Sequence, residues 1–125
     1  MIYGIGTDLV AVERIGRLHQ KFGEALARRL LHPAELPEWP QAADPANFLA
    51  KRFAAKEAFA KAVGTGIRGA VSFAHIGIGH DACGKPEFFY APPLAGWLAE
   101  RGIARVSLSL SDEAGMVLAF AVAEH

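Results

Sequence analysis

The sequence has a single cysteine, Cys83, so no disulfide can close within the chain, and nothing in its thiol content points to an oxidising compartment. A reducing cytoplasm is the expected location. Long apolar runs are also missing: the longest, Ala114 to Ala123, is about half of the roughly 20 residues that cross a bilayer. No cationic segment precedes the first apolar residues, so neither membrane insertion nor export is expected. The five histidines, His19, His32, His75, His80 and His125, fall at no metal-ligand spacing, which with one cysteine argues against a zinc site. There is no nucleophile elbow, and Gly64-Thr65-Gly66 lacks the lysine and hydroxyl that follow the glycines of a Walker loop. Net charge is zero, which speaks against a general nucleic-acid binder.

What remains is a chain of 125 residues, 52% hydrophobic, without repeats or low-complexity segments: one domain, residues 1–125, with room for a real core. Its charge is unevenly spread. From Arg14 to Arg68 lie ten of the 13 Lys and Arg residues but only five of the 13 acids. An anionic ligand or an acidic partner would be drawn there.

The most informative stretch runs from Asn47 to Ile67, NFLAKRFAAKEAFAKAVGTGI. Asp44 and Pro45 predict a helix start near Pro45, the first as a cap and the second as a first-turn residue with no N–H to lose. Alanines favour helix to Val63, and Gly64 is its expected left-handed terminator. Phe48, Leu49, Phe53, Phe59 and Val63 cover one half of this helix and alanines the other, the pattern of a helix surrounded by protein. Its charges are therefore partly desolvated. Arg52 and Lys56 form a like-charge i,i+4 pair that requires something acidic between them. Glu57 and Lys61 form a second i,i+4 pair, offering a carboxylate for a cation beside an ammonium for an oxyanion. The plainer alternative is a solvated charged helix with one surface ion pair.

Around this helix, Met1 to Val10 alternates as a strand with Tyr3, Ile5, Thr7 and Leu9 on one face and Gly4, Gly6 and Asp8 on the other. The glycines either admit a ligand or a packed helix beside Asp8, or simply fit a bend. Glu13 to Leu31 predicts one helix with an apolar stripe of Ile15, Leu18, Phe22, Leu26 and Leu30 and a basic opposite face. Pro33, Pro37, Pro40 and Pro45 make the following segment a connector. Val71 to Gly79 and Glu87 to Tyr90 predict a hairpin, Pro92 to Arg101 a short helix, and Val106 to Ser111 a strand that turns through Asp112 to Ala114. Met116 to Ala123 returns as a strand buried on both faces or lying in an interface.

KRFAAKEAFAKAVGTGI, together with GIGTDLVAVERI at Gly4 to Ile15 and GKP at Gly84 to Pro86, resembles the holo-acyl-carrier-protein synthase family of small phosphopantetheinyl transferases. The resemblance covers nearly the whole chain and is weakest between His32 and Ala43. It implies an α+β fold, an antiparallel sheet wrapped around a long central helix. It also implies a transfer of the 4'-phosphopantetheine group from coenzyme A to a serine of apo-acyl carrier protein, with release of adenosine 3',5'-bisphosphate. By the same resemblance Asp8 and Glu57 hold Mg2+, Lys61 faces the pyrophosphate, Arg52 and Lys56 serve the nucleotide phosphates, and Gly64 and Gly66 let backbone approach the cofactor. The base for the serine proton is left open between Glu57 and a metal-bound water. Arg14 falls where the family grips the acidic carrier, with Arg17, Lys21, Arg28 and Arg29 as further candidates. Glu35 aligns with an acidic family position, although a surface carboxylate is an equal reading. Some members place a histidine where this chain has Leu110. Family members form trimers with coenzyme A in clefts between subunits, so a homotrimer is expected. The competing reading is a non-catalytic basic module that binds an acidic protein or a nucleotide. A single-stranded nucleic-acid binder would need displayed aromatics, whereas Phe48, Phe53 and Phe59 read as buried.

Overall fold

In the computed structural model, which describes residues 1–125, strand β1 (Ile2–Ala11) leads into helices α1 (Val12–Phe22) and α2 (Glu24–Leu30). A connector then reaches α3 (Pro45–Val63), followed by a hairpin of β2 (Ile76–His80) and β3 (Pro86–Tyr90), helix α4 (Pro92–Glu100), and strands β4 (Arg105–Glu113) and β5 (Met116–Glu124). The strands form one antiparallel three-stranded sheet in the order β1-β5-β4, and β2 with β3 stands as a separate ribbon. The α+β architecture with a central helix is as expected.

Helix α3 starts and stops where its sequence says. The Asp44 carboxylate accepts from the Asn47 backbone N–H at 3.1 Å, Pro45 opens the first turn, and Gly64 ends the helix at φ +90°. Leu49, Ala50, Ala54, Ala55, Ala58, Phe59, Ala60, Ala62 and Val63 give it nine of the 27 buried apolar core residues. One side of it lies on the glycine face of β1. A methyl group added at Gly4 would come within 2.1 Å of Ala62 O, and one at Gly6 within 2.1 Å of Ala58 O. Only glycine lets helix and strand backbones meet this closely, and this contact brings the Asp8 end of β1 alongside α3.

Three expected elements differ. The helix expected from Glu13 to Leu31 is broken at Gly23, whose φ of 56° is left-handed, so α1 and α2 are separate; Leu26 and Leu30 are buried but Phe22 is left exposed. The strand expected from Val71 begins only at Ile76, because the segment from Ser72 is a turn in which the Ser72 hydroxyl and carbonyl both accept from the His75 N–H. The turn after β4 is tighter than expected: β4 continues through Glu113, and Ala114 and Gly115 alone reverse the chain, both with positive φ.

Strand β5 is buried on one face only. Val117, Ala119, Ala121 and Ala123 are sealed against α3, while Leu118 and Phe120 point outward at 44% and 39% exposure. They lie across from Leu9 and Thr7 of β1, and with Ile5 and Leu9, each about 60% exposed, they make the outer sheet face an apolar surface.

Candidate active site

Asp8 and Lys61 meet where β1 crosses α3. Lys61 Nζ donates to Thr7 O at 2.9 Å and lies 3.3 Å from Asp8 Oδ1. The other carboxylate oxygen, Asp8 Oδ2, is buried and has no hydrogen-bond partner. An orphaned anionic oxygen is costly unless a cation completes it. Glu57 supplies the second carboxylate. Its proton affinity is raised above the ordinary glutamate range, first by burial and then by the neighbouring charge of Asp8, with Lys61 and Arg14 pulling the other way. Although 49 positions separate them in sequence, Glu57 on α3 lies near enough to feel the charge of Asp8 on β1. No group of three or more His, Cys, Asp or Glu side chains gathers anywhere in the chain, so an ion here would have two protein carboxylates and take its remaining oxygens from water and substrate. That donor set fits Mg2+, a hard cation that is reluctant to shed its waters.

Arg52 and Lys56 do not belong to this site, which corrects the expectation that they serve nucleotide phosphates. Both are turned inward onto Glu35, itself fully buried rather than a surface carboxylate. Lys56 Nζ donates to Glu35 Oε1 at 2.6 Å, Leu30 O at 2.8 Å and Phe73 O at 3.0 Å, so its three donors are spent inside the protein. Burial, more than the partial compensation by Glu35, lowers its pKa to about 8. Arg52 Nε lies 2.8 Å from Glu35 Oε2 without the alignment of a hydrogen bond, so this contact is a charge pair. The acidic group that the Arg52 and Lys56 spacing demanded exists, but it is Glu35 and not a ligand.

Gly64 and Gly66 are both left-handed, at φ +90° and +68°, with open space where side chains would stand. The N–H groups of Gly64, Thr65 and Gly66 all turn back to Ala60 O, so this loop offers a ligand close approach rather than amide donors. Beside it, Arg68 and Arg101 line an open depression with Thr65, Gly69 and Trp97, and the Arg101 guanidinium stacks 3.8 Å from the Trp97 ring centroid.

Residues 4–121 match the family model of the 4'-phosphopantetheinyl transferase superfamily. The chain belongs to that superfamily. Among its relatives, a holo-[acyl-carrier-protein] synthase of Neisseria meningitidis serogroup A is 74% identical over 124 residues, covering 99% of each chain. One from Nitrosospira multiformis is 56% identical over 124 residues, again with 99% of each covered. The crystal structure of a holo-[acyl-carrier-protein] synthase from Neisseria meningitidis matches with a TM-score of 0.98 at 72% identity over 100% of both chains. A Helicobacter pylori holo-[acyl-carrier-protein] synthase in complex with coenzyme A matches at 0.83 and 29% identity, over 96% of this chain and 99% of that one.

Within this superfamily member, Arg14 stands in the first turn of α1, its charge felt by Glu57 and its guanidinium 5.6 Å from the Phe53 ring centroid. Arg17 is held by Glu13 and Arg28 by Glu24 in exposed i,i+4 pairs, and Lys21 lies over the Phe22 ring. Such exposed pairs contribute little and open readily to a partner. Leu110 falls in the same cross-sheet row as Asp8, with Ala119 between them, so a histidine there would face the site and a leucine brings no proton chemistry. Lys85 and Pro86 of the GKP segment line a depression with Ser107, Ser109, Phe120 and Val122, on the sheet rather than beside Asp8. Two features are not read from the sequence. The sequence singles out Glu35 but not its pairing with Arg52 and Lys56, because it sits in the weakly patterned proline-rich connector; Arg68 and Arg101 are far apart in sequence, and nothing local joins them.

Proposed function

We propose that this chain transfers the 4'-phosphopantetheine group of coenzyme A to a serine of apo-acyl carrier protein, giving the holo carrier used in fatty acid synthesis and adenosine 3',5'-bisphosphate. One observation carries the reading: the unpartnered buried oxygen of Asp8 beside Glu57, with the Lys61 ammonium already in place. In the reaction the serine oxygen forms a bond to the phosphorus bearing pantetheine, the bond from that phosphorus to the bridging oxygen breaks, and the serine proton leaves to a base. Mg2+ held by Asp8 and Glu57 would neutralise the diphosphate as charge shifts to the departing oxygen. Lys61 would stabilise that oxygen, and Glu57, whose proton affinity is raised by burial and by the charge of Asp8, is the candidate to take the serine proton. Coenzyme A passes close to the Gly64 to Gly66 loop.

The carrier docks on α1 and α2, where Arg14, Arg17, Lys21 and Arg28 meet its acidic surface. The outward apolar face of Ile5, Leu9, Leu118 and Phe120 joins three copies into a homotrimer with coenzyme A in the clefts between them. No helix is long and apolar enough to cross a membrane, and Cys83 is a free, exposed thiol. We place the enzyme in the cytoplasm. Mass spectrometry of apo-acyl carrier protein incubated with coenzyme A, Mg2+ and this protein tests the reading. The carrier should gain one phosphopantetheine, and only when a divalent ion is present. No gain with any divalent ion would leave a non-catalytic binding module in its place.

A further inference from the structure

The Glu35 carboxylate, with no exposed surface, collects groups from separate parts of the chain. Oε1 accepts from the His32 N–H at 2.8 Å as well as from Lys56, and Oε2 accepts from the Ile78 N–H at 3.1 Å while pairing with Arg52. Through Leu30 O and Phe73 O, Lys56 extends the cluster to the end of α2 and to the turn ahead of β2. Helix α3 is thus tied by its two inward cations to α2, the connector and the hairpin.

These ties matter because of what else surrounds α3. Its buried face is largely alanine and β1 meets it with bare glycine backbone, so only a handful of side chains key its rotation: Leu49, Phe59 and Val63 in the core, Phe53 stacked on Phe73, and Lys61 on Thr7 O. To these contacts a three-donor ammonium and a guanidinium held by one carboxylate add a directional constraint that alanine packing does not supply. Glu57 follows Lys56 directly on the same helix. A rotation of about 15° carries a group roughly 6 Å from a helix axis through about 1.5 Å. A misplacement of about 1 Å can reduce turnover on the order of 100-fold.

We infer that Glu35 is a positioning residue: through Arg52 and Lys56 it fixes the rotation of α3, and so sets how the Glu57 carboxylate stands toward Asp8. The inference rests on the reading of Asp8 and Glu57 as an ion-binding pair. Lys56→Met tests it, since it removes the three-way tie yet leaves Glu35 paired with Arg52, a balanced charge in a site of nearly unchanged volume. Binding of Mn2+ alone, followed by the electron paramagnetic resonance of the free ion, should weaken roughly tenfold or more in a variant that unfolds as cooperatively as wild type. In turnover with coenzyme A and apo carrier, kcat should fall far more than the KM for coenzyme A changes.

A second measurement uses the unaltered protein. Because coupling is reciprocal, saturating Mg2+ should slow hydrogen exchange at the His32 and Ile78 amides, the two that donate to Glu35, beyond any uniform gain across the chain. A folded Lys56→Met protein with wild-type Mn2+ affinity overturns the inference. Should that variant not fold, unchanged relative exchange at His32 and Ile78 overturns it instead. Wild-type protein that binds no Mn2+, or an Asp8→Asn variant that binds it as well as wild type, sinks the underlying ion-pair reading and takes this inference with it.

Discussion

Two clusters of opposite charge flank α3, and they are finished to different degrees. In the interior, one carboxylate, Glu35, faces Arg52 and Lys56, and every ammonium donor and both carboxylate oxygens have partners. At the crossing with β1, two carboxylates face Lys61 and Arg14, and one carboxylate oxygen is left buried and bare. Both use the same residue types from the same helix, so composition does not separate structural charge from functional charge. Completion does. A cluster whose carboxylate is fully answered holds elements together, even with Arg52 Nε paired only by charge, and one that leaves an anion unanswered holds a place for something else.

Substitutions should therefore act differently on the two clusters. Glu35→Leu strands two buried cations, and the loss of stability should be about 3–5 kcal/mol in urea unfolding. Glu57→Gln should leave the unfolding midpoint in chelator unchanged or slightly raised, since it relieves the repulsion from Asp8, while turnover falls on the order of 100-fold or more. A Glu57→Gln protein with full activity would remove Glu57 from both the ion and the proton. Arg14→Glu should raise the KM for the carrier roughly tenfold, equivalent to about 1.4 kcal/mol, and move that for coenzyme A much less. Equal effects on both would place Arg14 in the coenzyme site rather than on the carrier surface.

The smallest expected effect concerns pH. His32 Nδ1 accepts from the Ala34 N–H at 3.0 Å, and its ring stands edge-on to Phe89. Burial, aided by Lys56 and His75 and opposed by Glu35, lowers its pKa below the ordinary histidine value of 6.5. The unfolded chain then binds the proton more tightly than the native one, so the stability that His32 contributes is present above pH 6.5 and is lost as pH falls through the lowered value. Stability measured down that window should decline, and His32→Gln should flatten the slope. An unchanged slope would mean that the connector around Glu35 does not sense this proton.

Much of this molecule was legible because local chemistry and tertiary demand agree. The cap at Asp44, the stop at Gly64 and the all-round apolar pattern of α3 were each sufficient, and the bare Gly4 and Gly6 face turned out to be where that helix lies. The pairing of Asp8 with Glu57 rested on resemblance, since no periodicity links a strand end to a helix so far along the chain. The interior cluster misled for a different reason. Two cations one turn apart announce an anion but not its source, and a carboxylate delivered by an irregular connector leaves no repeating signal. The break at Gly23 was hidden because a single left-handed residue barely disturbs an apolar stripe read along the sequence.

Strand β1 carries two unrelated loads. Its inner side presents Asp8 to α3, and the residues on either side of that aspartate in the outward register, Thr7 and Leu9, lie across from Phe120 and Leu118. Whatever covers that outer surface also steadies the ribbon of backbone from which the aspartate hangs. If copies of the chain cover that surface, as proposed, dilution alone, with no residue altered, is expected to weaken ion binding at Asp8, and specific activity should drift downward as the protein becomes scarce.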